Sequence, residues 1–488
     1  MDRTFLKALN VILISLGLAF VFNFLFFEKA VGVSILIFFA ALLAAVLLFG
    51  RHEQLSLKNT WWIMLLIVFF AAIPSIRANE FLNFLNLCAV LGLLMLFAHQ
   101  LTGTPAFLMK LWGYIVLMVV VPFRMLGRAL STVAQIGQIH SNIKNRDVWL
   151  RVLKGVIMAV PILIIFGLLF SQADLAFSKF LKGFIDISIS LRTVHYLVLL
   201  GFAFVATLCF LSYIFFPKEA KSNLAGEQSE MPAQSGKGIE VLVFLGLISA
   251  LFLVFIGFQI TYLFGGEANI INAGFTYAEY ARRGFFELLA VAILSLLVLL
   301  ASEKYAGSEP KKDKRFLIPS LILITEVIIV IVSAFKRLSL YIDAYGQTLL
   351  RFYVAGFIIL LLALFILLAY KFIKSKPEQF FTFGTLLSLA AFLIVVNIVN
   401  PDAYIIRSNI EQYAKTGKID VDYIGRLSAD AAAGKMELYN KLLEGEVKEN
   451  LRDWLKVEKD NLQKNSSHWQ SANLSRTRAL KLLQEFGE

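Results

Sequence analysis

Cysteine is almost missing from this chain: two in 488 residues, Cys88 and Cys209, both inside apolar runs. That excludes a disulfide framework and any Cys-based metal pattern. Histidine is scarce as well, with His52, His99, His140, His195 and His468. Only His99 and His195 fall at membrane depth, and the topology derived below puts them at opposite faces, which argues against a bis-histidine haem. HExxH, a Walker glycine loop and a GxSxG elbow are all lacking, so the common hydrolase and nucleotide-binding sites have no footing here. Charged residues make up 16% of the chain, well under the roughly 25% of soluble proteins.

What replaces charge is apolar bulk. The chain is 59% hydrophobic, with 45 phenylalanines and a mean hydropathy of +0.75. A soluble core cannot hide that much apolar surface, whereas a bilayer can. Eleven spans are expected, near 8–27, 30–50, 60–75, 81–99, 155–171, 193–216, 239–264, 284–302, 316–335, 349–371 and 379–399. The first run, Phe5 to Phe27, is too long for a signal-peptide core and lacks a small-residue cleavage site, so it reads as a retained span. Two segments differ. Leu111 to Phe123 is apolar but short, and is flanked by Lys110, Arg124 and Arg128, as in a re-entrant or interfacial element. Ala173 to Leu191 mixes apolar and charged residues in the manner of an interfacial amphipathic helix.

The fold class that follows is all-α: a polytopic transmembrane bundle of about eleven spans with a small soluble helical C-terminal domain. Residues 1–216 form a first membrane region and 239–400 a second. Between them, 217–238 (PKEAKSNLAGEQSEMPAQSGKG) reads as a flexible linker. The tail, 401–488, shows helical periodicity through Leu442, Val447, Leu451, Trp454 and Leu455, then Leu480, Leu483 and Phe486. Three to five helices are expected there.

The net charge of +12 is unevenly placed. The tail holds 14 basic and 14 acidic residues, and the first 400 residues hold 32 and 20. A basic excess confined to membrane loops is an orientation signal, not a nucleic-acid footprint. With the N-terminus inside, 22 of those 32 basic residues fall in inner loops and 10 in outer ones. The positive-inside rule therefore predicts a cytoplasmic N-terminus and an extracytoplasmic tail. Counting 111–123 as a span would turn the KKDKR run at 311–315 outward, which favours eleven spans.

Two boxes stand out. TYAEYARRGFFELLAVAIL begins at Thr276 and RLSLYIDAYGQTLLRFYVAGFIIL at Arg337. In each, tyrosines and an acid precede arginine, aromatics and a long apolar run. Charges this close to lipid need a reason. The outer rim so defined gathers Glu279, Arg282, Arg283, Glu287, Arg337, Tyr341, Asp343, Tyr345 and Arg351, with Asp402 and Arg407 just past the last span. One reading is an aromatic belt with Arg–carboxylate pairs that lock helix ends; the other is a pocket for an anionic headgroup, peptide or solute held by bidentate arginines. Glu326 lies mid-span in LIPSLILITEVIIVIVSAF. A carboxylate there is paired, protonated or in a wet cavity, so proton coupling and a structural hydrogen bond to a neighbouring helix both stay open. Asn10, Asn23, Asn83, Asn86 and Asn397 fit interhelical hydrogen bonding. Asn465-Ser-Ser and Asn473-Leu-Ser match a glycosylation sequon, a triplet common by chance. Tyr277, Tyr280 and Arg283 can be matched with Tyr341, Tyr345 and Arg351, a weak internal repeat of the type found in transporters and also left by simple duplication.

The two boxes, NPDAYIIRSNI from Asn400, YIGRLSADA from Tyr423 and WQSANLSRTRA from Trp469 resemble a family of bacterial polytopic membrane proteins catalogued only as a domain of unknown function. The resemblance implies a bacterial cytoplasmic membrane and supplies no activity, substrate or catalytic residue. Three functions fit the sequence. The first is a non-enzymatic envelope or signalling protein that uses its outer face and tail. The second is a secondary transporter or channel built around Glu326. The third is an enzyme for lipid-linked substrates with Glu279, Glu287 or Asp343 as base. No catalytic set, metal or cofactor is expected. The expected partners are the lipid bilayer and a protein bound through the tail, with no nucleic acid.

Overall fold

The computed structural model describes residues 3–136 apart from 56, 58, 103 and 104, then 191–217, 237–263, 285–306, 313–465 and 468–484, with a few positions between 170 and 177. The expected span 155–171, the amphipathic segment 173–191, most of the linker 217–238 and the start of the first box (Glu279, Arg282 and Arg283 included) lie outside the described residues. So do Tyr277 and Tyr280, which leaves the repeat without a structural counterpart.

Every described regular element is helical. The membrane part comprises α1 (Arg3–Phe26), α2 (Val33–His52), α3 (Trp61–Ala72), α4 (Glu80–Leu101), α5 (Leu111–Ile136), α6 (Leu191–Phe215), α7 (Lys237–Leu263), α8 (Phe285–Tyr305), α9 (Lys314–Tyr345), α10 (Leu349–Ile373) and α11 (Glu378–Val399). Ten of these are long and apolar enough to cross a membrane; α3, prolonged by a 3-10 turn at Ile73–Ser75, is the shorter apolar helix. The architecture is that of a multi-pass membrane protein. Helices suit this setting because they satisfy their own backbone groups where no water is present.

Contacts at the helix ends give the order of the bundle. Arg192 of α6 pairs with Glu28 just after α1 at 2.7 Å. Near the other end of the same two helices, Lys7 of α1 lies over the Phe216 ring. Hence α1 and α6 run antiparallel. Although α3 is short, it does connect the two ends: Asn59 before it accepts from Gln100 at the end of α4, while Ile76 after it accepts from the tail residue Ser475. His99 and His195 lie at opposite ends, near Tyr213 and Phe27 respectively, as expected.

Helix α5 is twice the length expected for 111–123. Its first amide, Leu111 N, donates to Glu378 at the start of α11. Further along, Arg128 donates to the Tyr213 carbonyl at the end of α6 at 2.7 Å. Both partners belong to the end of the bundle opposite the tail, so α5 runs obliquely along that end. Its composition is that of a membrane-crossing helix, and its Leu117, Val121 and Met125 pack into the apolar core of the bundle.

Two apolar cores divide the membrane part. The first joins α1 to α6 and reaches Leu393 and Val396 of α11. The second joins α7 to α10 and reaches Phe381 of α11. Helix α11 thus packs on both bodies. In the second body, α9 continues as helix straight through the second box from Arg337 to Tyr345, ten residues past the expected end of the span near 335.

The tail has five helices, α12 (Pro401–Thr416), α13 (Val421–Gly425), α14 (Ala432–Lys441), α15 (Glu446–Asn465) and α16 (Leu474–Gln484). The break from membrane to tail is encoded locally. Asn400 takes a left-handed conformation (φ 60°) that asparagine tolerates, and Pro401 opens the next helix with φ already suited to it. The tail core contains Ile405, Ile406, Ile424, Leu438, Leu442, Leu451, Leu455 and Leu483, with Leu349 and Phe352 of α10 packed against it. Of the expected face, Val447 is exposed and Phe486 is outside the described residues.

One cation belongs to this core. The Lys435 side chain is fully buried and donates to Gly425 O, Leu427 O and Glu458, at 3.1, 2.6 and 2.8 Å. All three ammonium protons are thereby used. Removing a partner of a buried pair leaves the rest uncompensated, so Lys435→Ala should lower tail stability by about 3 kcal/mol. Urea titration followed by proteolytic cleavage of the tail measures this.

Candidate functional site

Two polar networks among the described residues hold expected site residues. The first is a seam between α7 and α9. These helices run parallel in register: Ser249 of α7 faces Glu326 of α9, and ten residues on, Gln259 faces Ser333 and Arg337. Residues 326, 333 and 337 recur at helical spacing on one face. Gln259 Oε1 accepts from the Ser333 hydroxyl at 2.8 Å and from Arg337 at 3.0 Å. Arg337, expected on the outer rim, is therefore buried in the seam. Glu326 is 3% exposed. Ser249 approaches its carboxylate, but outside hydrogen-bonding geometry, and neither carboxylate oxygen has a hydrogen-bond partner among the described residues.

The second place is the junction between tail and bundle. Asp402 is wholly buried. Both of its oxygens accept from the Asn79 amide, at 3.1 and 3.0 Å, and one also accepts from Ser428 N and the Ser428 hydroxyl. Asp430 accepts from the Ala78 and Asn79 backbone amides at 2.8 and 3.0 Å. Asn79 is at the same time the N-cap of α4 through Leu82 N, which fixes its side chain in place. Beneath it, Asn86 and Asn397 exchange reciprocal amide bonds at 3.0 and 2.8 Å, and Arg77 donates to Asn397 O. Two of the five expected interhelical asparagines meet here.

The final tail segment docks on the same end. Val33 N donates to Ala472 O at 3.0 Å and Ser475 N to Ile76 O. Asn473 donates to Pro74 O and Arg77 O, each at 2.8 Å, and Arg476 donates to Val31 O. Asn473 is 3% exposed, so its sequon is buried in the junction.

The second box closes the junction from the other body. Tyr341 and Tyr345 rings lie 5.1 Å apart. The Arg351 guanidinium sits 4.1 Å over Tyr341 and donates to Tyr345 O and Gly346 O. Gly346 has φ +81°, and a Cβ there would meet Asn409 Oδ1 at 2.6 Å, so only glycine lets the tail approach. Asn409 accepts from Gln347 N and donates to Gln347 O, Gln412 donates to Asp343 O, and Leu349 N donates to Tyr423. Tyr341, Asp343, Tyr345 and Arg351 are thus brought together, with Asp343 contributing its carbonyl. Glu287 and Arg407 are exposed, and neither is drawn into this junction. Among the described residues no group of three or more His, Cys, Asp or Glu could hold a metal ion.

The sequence profile of one family covers residues 63–437, from α3 to α14, the helix that follows Asp430. The chain belongs to the DUF4153 family, a domain of unknown function. No curated protein and no solved structure matches the chain. The DUF4153 match takes in both boxes, Asp402, Ser428 and Asp430. It leaves out α1, α2 and the docking segment from Trp469, so the last lock on the bundle lies beyond the family's common part.

Burial drives the Asp402 carboxyl of this DUF4153 protein above the ordinary carboxylate range; bonds from Ser428 and Asn79 pull it down, and nearby Asp430 adds to the rise. The folded form therefore holds a proton more firmly than the unfolded chain. For this group, stability rises as the pH falls through the raised value and levels off below the usual 3.8. Tail docking should thus tighten between neutral pH and about 4, and Asp402→Asn should flatten that dependence. Protection of the tail from protease across this range is the readout.

Proposed function

We propose that this DUF4153 protein is a non-enzymatic membrane protein of the cell envelope that holds its tail as a fixed cap and presents the cap's outer surface to a partner protein. The supporting observation is the junction itself. Among the described residues, Tyr341, Asp343, Tyr345, Arg351 and Asp402 are engaged in holding the tail on both membrane bodies, which takes them up in the junction. Helix α15 packs on α13, α14 and α16, while Glu449, Arg452, Asp453 and Lys456 face outward. The end of the bundle opposite the tail carries Arg3, Lys7, Arg51, Lys314, Arg315, Lys374 and Lys376, and by the positive-inside rule that end is cytoplasmic. The tail is then extracytoplasmic, on a bacterial cytoplasmic membrane.

A photo-crosslinking residue placed at Arg452 or Lys456 in living cells tests the reading. Discrete protein adducts at these positions, absent from a lipid-facing control at Leu247, would support it. No adduct at either tail position would refute it.

A second reading rests on Glu326, a buried carboxylate without a hydrogen-bond partner among the described residues. Such acids mark ion pathways in transporters. Flux of ions or solutes in proteoliposomes, abolished by Glu326→Gln, would move the function to the seam; flux that survives the substitution would remove Glu326 from it.

A further inference from the structure

A groove of about 520 Å³ runs between α7 and α9, within the size range of small-molecule sites. It is lined by Leu242, Gly246, Ser249 and Leu253 of α7 and by Ile318 and Ile322 of α9. The recess exists because α7 presents small residues here to a neighbour that does not fill the space. A Cβ built on Gly246 meets nothing within 4 Å. Ser249 is 7% exposed and its hydroxyl has no hydrogen-bond partner among the described residues. The groove is flanked by two helices of membrane-crossing length, so whatever fills it enters from the bilayer.

One end of the groove differs from the rest. Lys314 and Arg315, the first residues of α9, line it, within the run KKDKR at 311–315. Asp313 takes up part of the Arg315 charge at 3.0 Å, and the run keeps a surplus of positive charge. An apolar slot at hydrocarbon depth with a basic mouth at the interface complements a molecule that has a long apolar chain and an anionic head.

We infer that this groove holds one anionic phospholipid, with an acyl chain along α7 and α9 and the phosphate at Lys314 and Arg315. The chain ends against Ser249, one side chain from Glu326. The bound lipid would cover the flank of the seam beside Ser249. Basic residues at an anionic interface hold lipid headgroups; the recess adds a defined place for one chain, which an annular lipid lacks.

Purified full-length protein equilibrated with equal amounts of phosphatidylglycerol and phosphatidylcholine in mixed micelles provides the test, with retained lipids counted by native mass spectrometry. The wild type should retain one phosphatidylglycerol in preference to phosphatidylcholine. Lys314→Gln and Arg315→Gln should each weaken that preference by roughly fivefold. Gly246→Leu, which projects only into open space, should displace the retained lipid while leaving thermal unfolding unchanged. Equal retention of both lipids by the wild type overturns the inference. So does a headgroup preference that survives Gly246→Leu, which would mean annular lipid only.

Discussion

Replacing Gly32 with valine should release the end of the tail from the bundle. A Cβ at position 32 would stand 2.6 Å from Ala472 O and from Ser471 C, both backbone atoms that cannot swing aside. The segment must move, and with it go the Val33–Ala472 and Ser475–Ile76 backbone bonds and the two Asn473 bonds. At about 1 kcal/mol net for each bond, the loss is about 3–4 kcal/mol, or some hundredfold to thousandfold in the undocked population. Trypsin reports it, because Arg476, Arg478 and Lys481 lie on the segment that lifts. Cleavage there should accelerate by a comparable factor while the membrane helices stay intact. Unchanged cleavage would mean that position 32 is not the contact the fold makes it.

Asp402→Ala should have the other large effect. The substitution removes the acceptor of three donors: the Asn79 side-chain amide and the Ser428 amide lose it outright, and the Ser428 hydroxyl keeps only Asp430, at 3.3 Å. Each unsatisfied buried group costs about 1–3 kcal/mol, so a loss of about 3 kcal/mol or more in tail docking is expected. Desolvation of Asp402 itself is relieved at the same time, which keeps the total below the sum over three groups. The Asn79→Ala and Asp402→Ala changes should be strongly non-additive, since they remove the two halves of one interaction. A double-mutant cycle on tail proteolysis measures that coupling; additive losses would place the two residues in separate networks.

Much of this architecture was legible in the sequence, because lipid imposes strong patterns. Apolar runs as long as a bilayer is thick, such as 193–216 and 349–371, could hardly be anything else. The tail's helical face was readable through Leu442, Leu451, Leu455 and Leu483. The meaning of the second box was half readable. Arg and Tyr next to lipid suggested helix ends locked by Arg–carboxylate pairs or a ligand pocket; Arg351 instead stacks on Tyr341 and donates to backbone carbonyls. Arg337 was misplaced, because its burial depends on Gln259 of another helix, and no local pattern encodes that register. Asn79, Ser428 and Asp430 were missed for a similar reason. The signals existed, an N-cap residue before an apolar run and the Ser-x-Asp of YIGRLSADA, but they are ordinary turn chemistry until long-range folding brings them to Asp402. Lys435 reads as a solvated charge, and only the closing of α15 over α14 buries it.

Amide hydrogen exchange over the loops joining α1 to α2 and α3 to α4 tests the cap most directly. Val33, Ala78 and Asn79 lie at or beside connecting segments, yet all three amides donate to the tail, to Ala472 O and to Asp430. If the tail is a fixed cap, these amides exchange slowly in the full-length protein, with protection like that of the helices beside them. Exchange at the rate of free, solvated loops would contradict the docked cap and the account built on it.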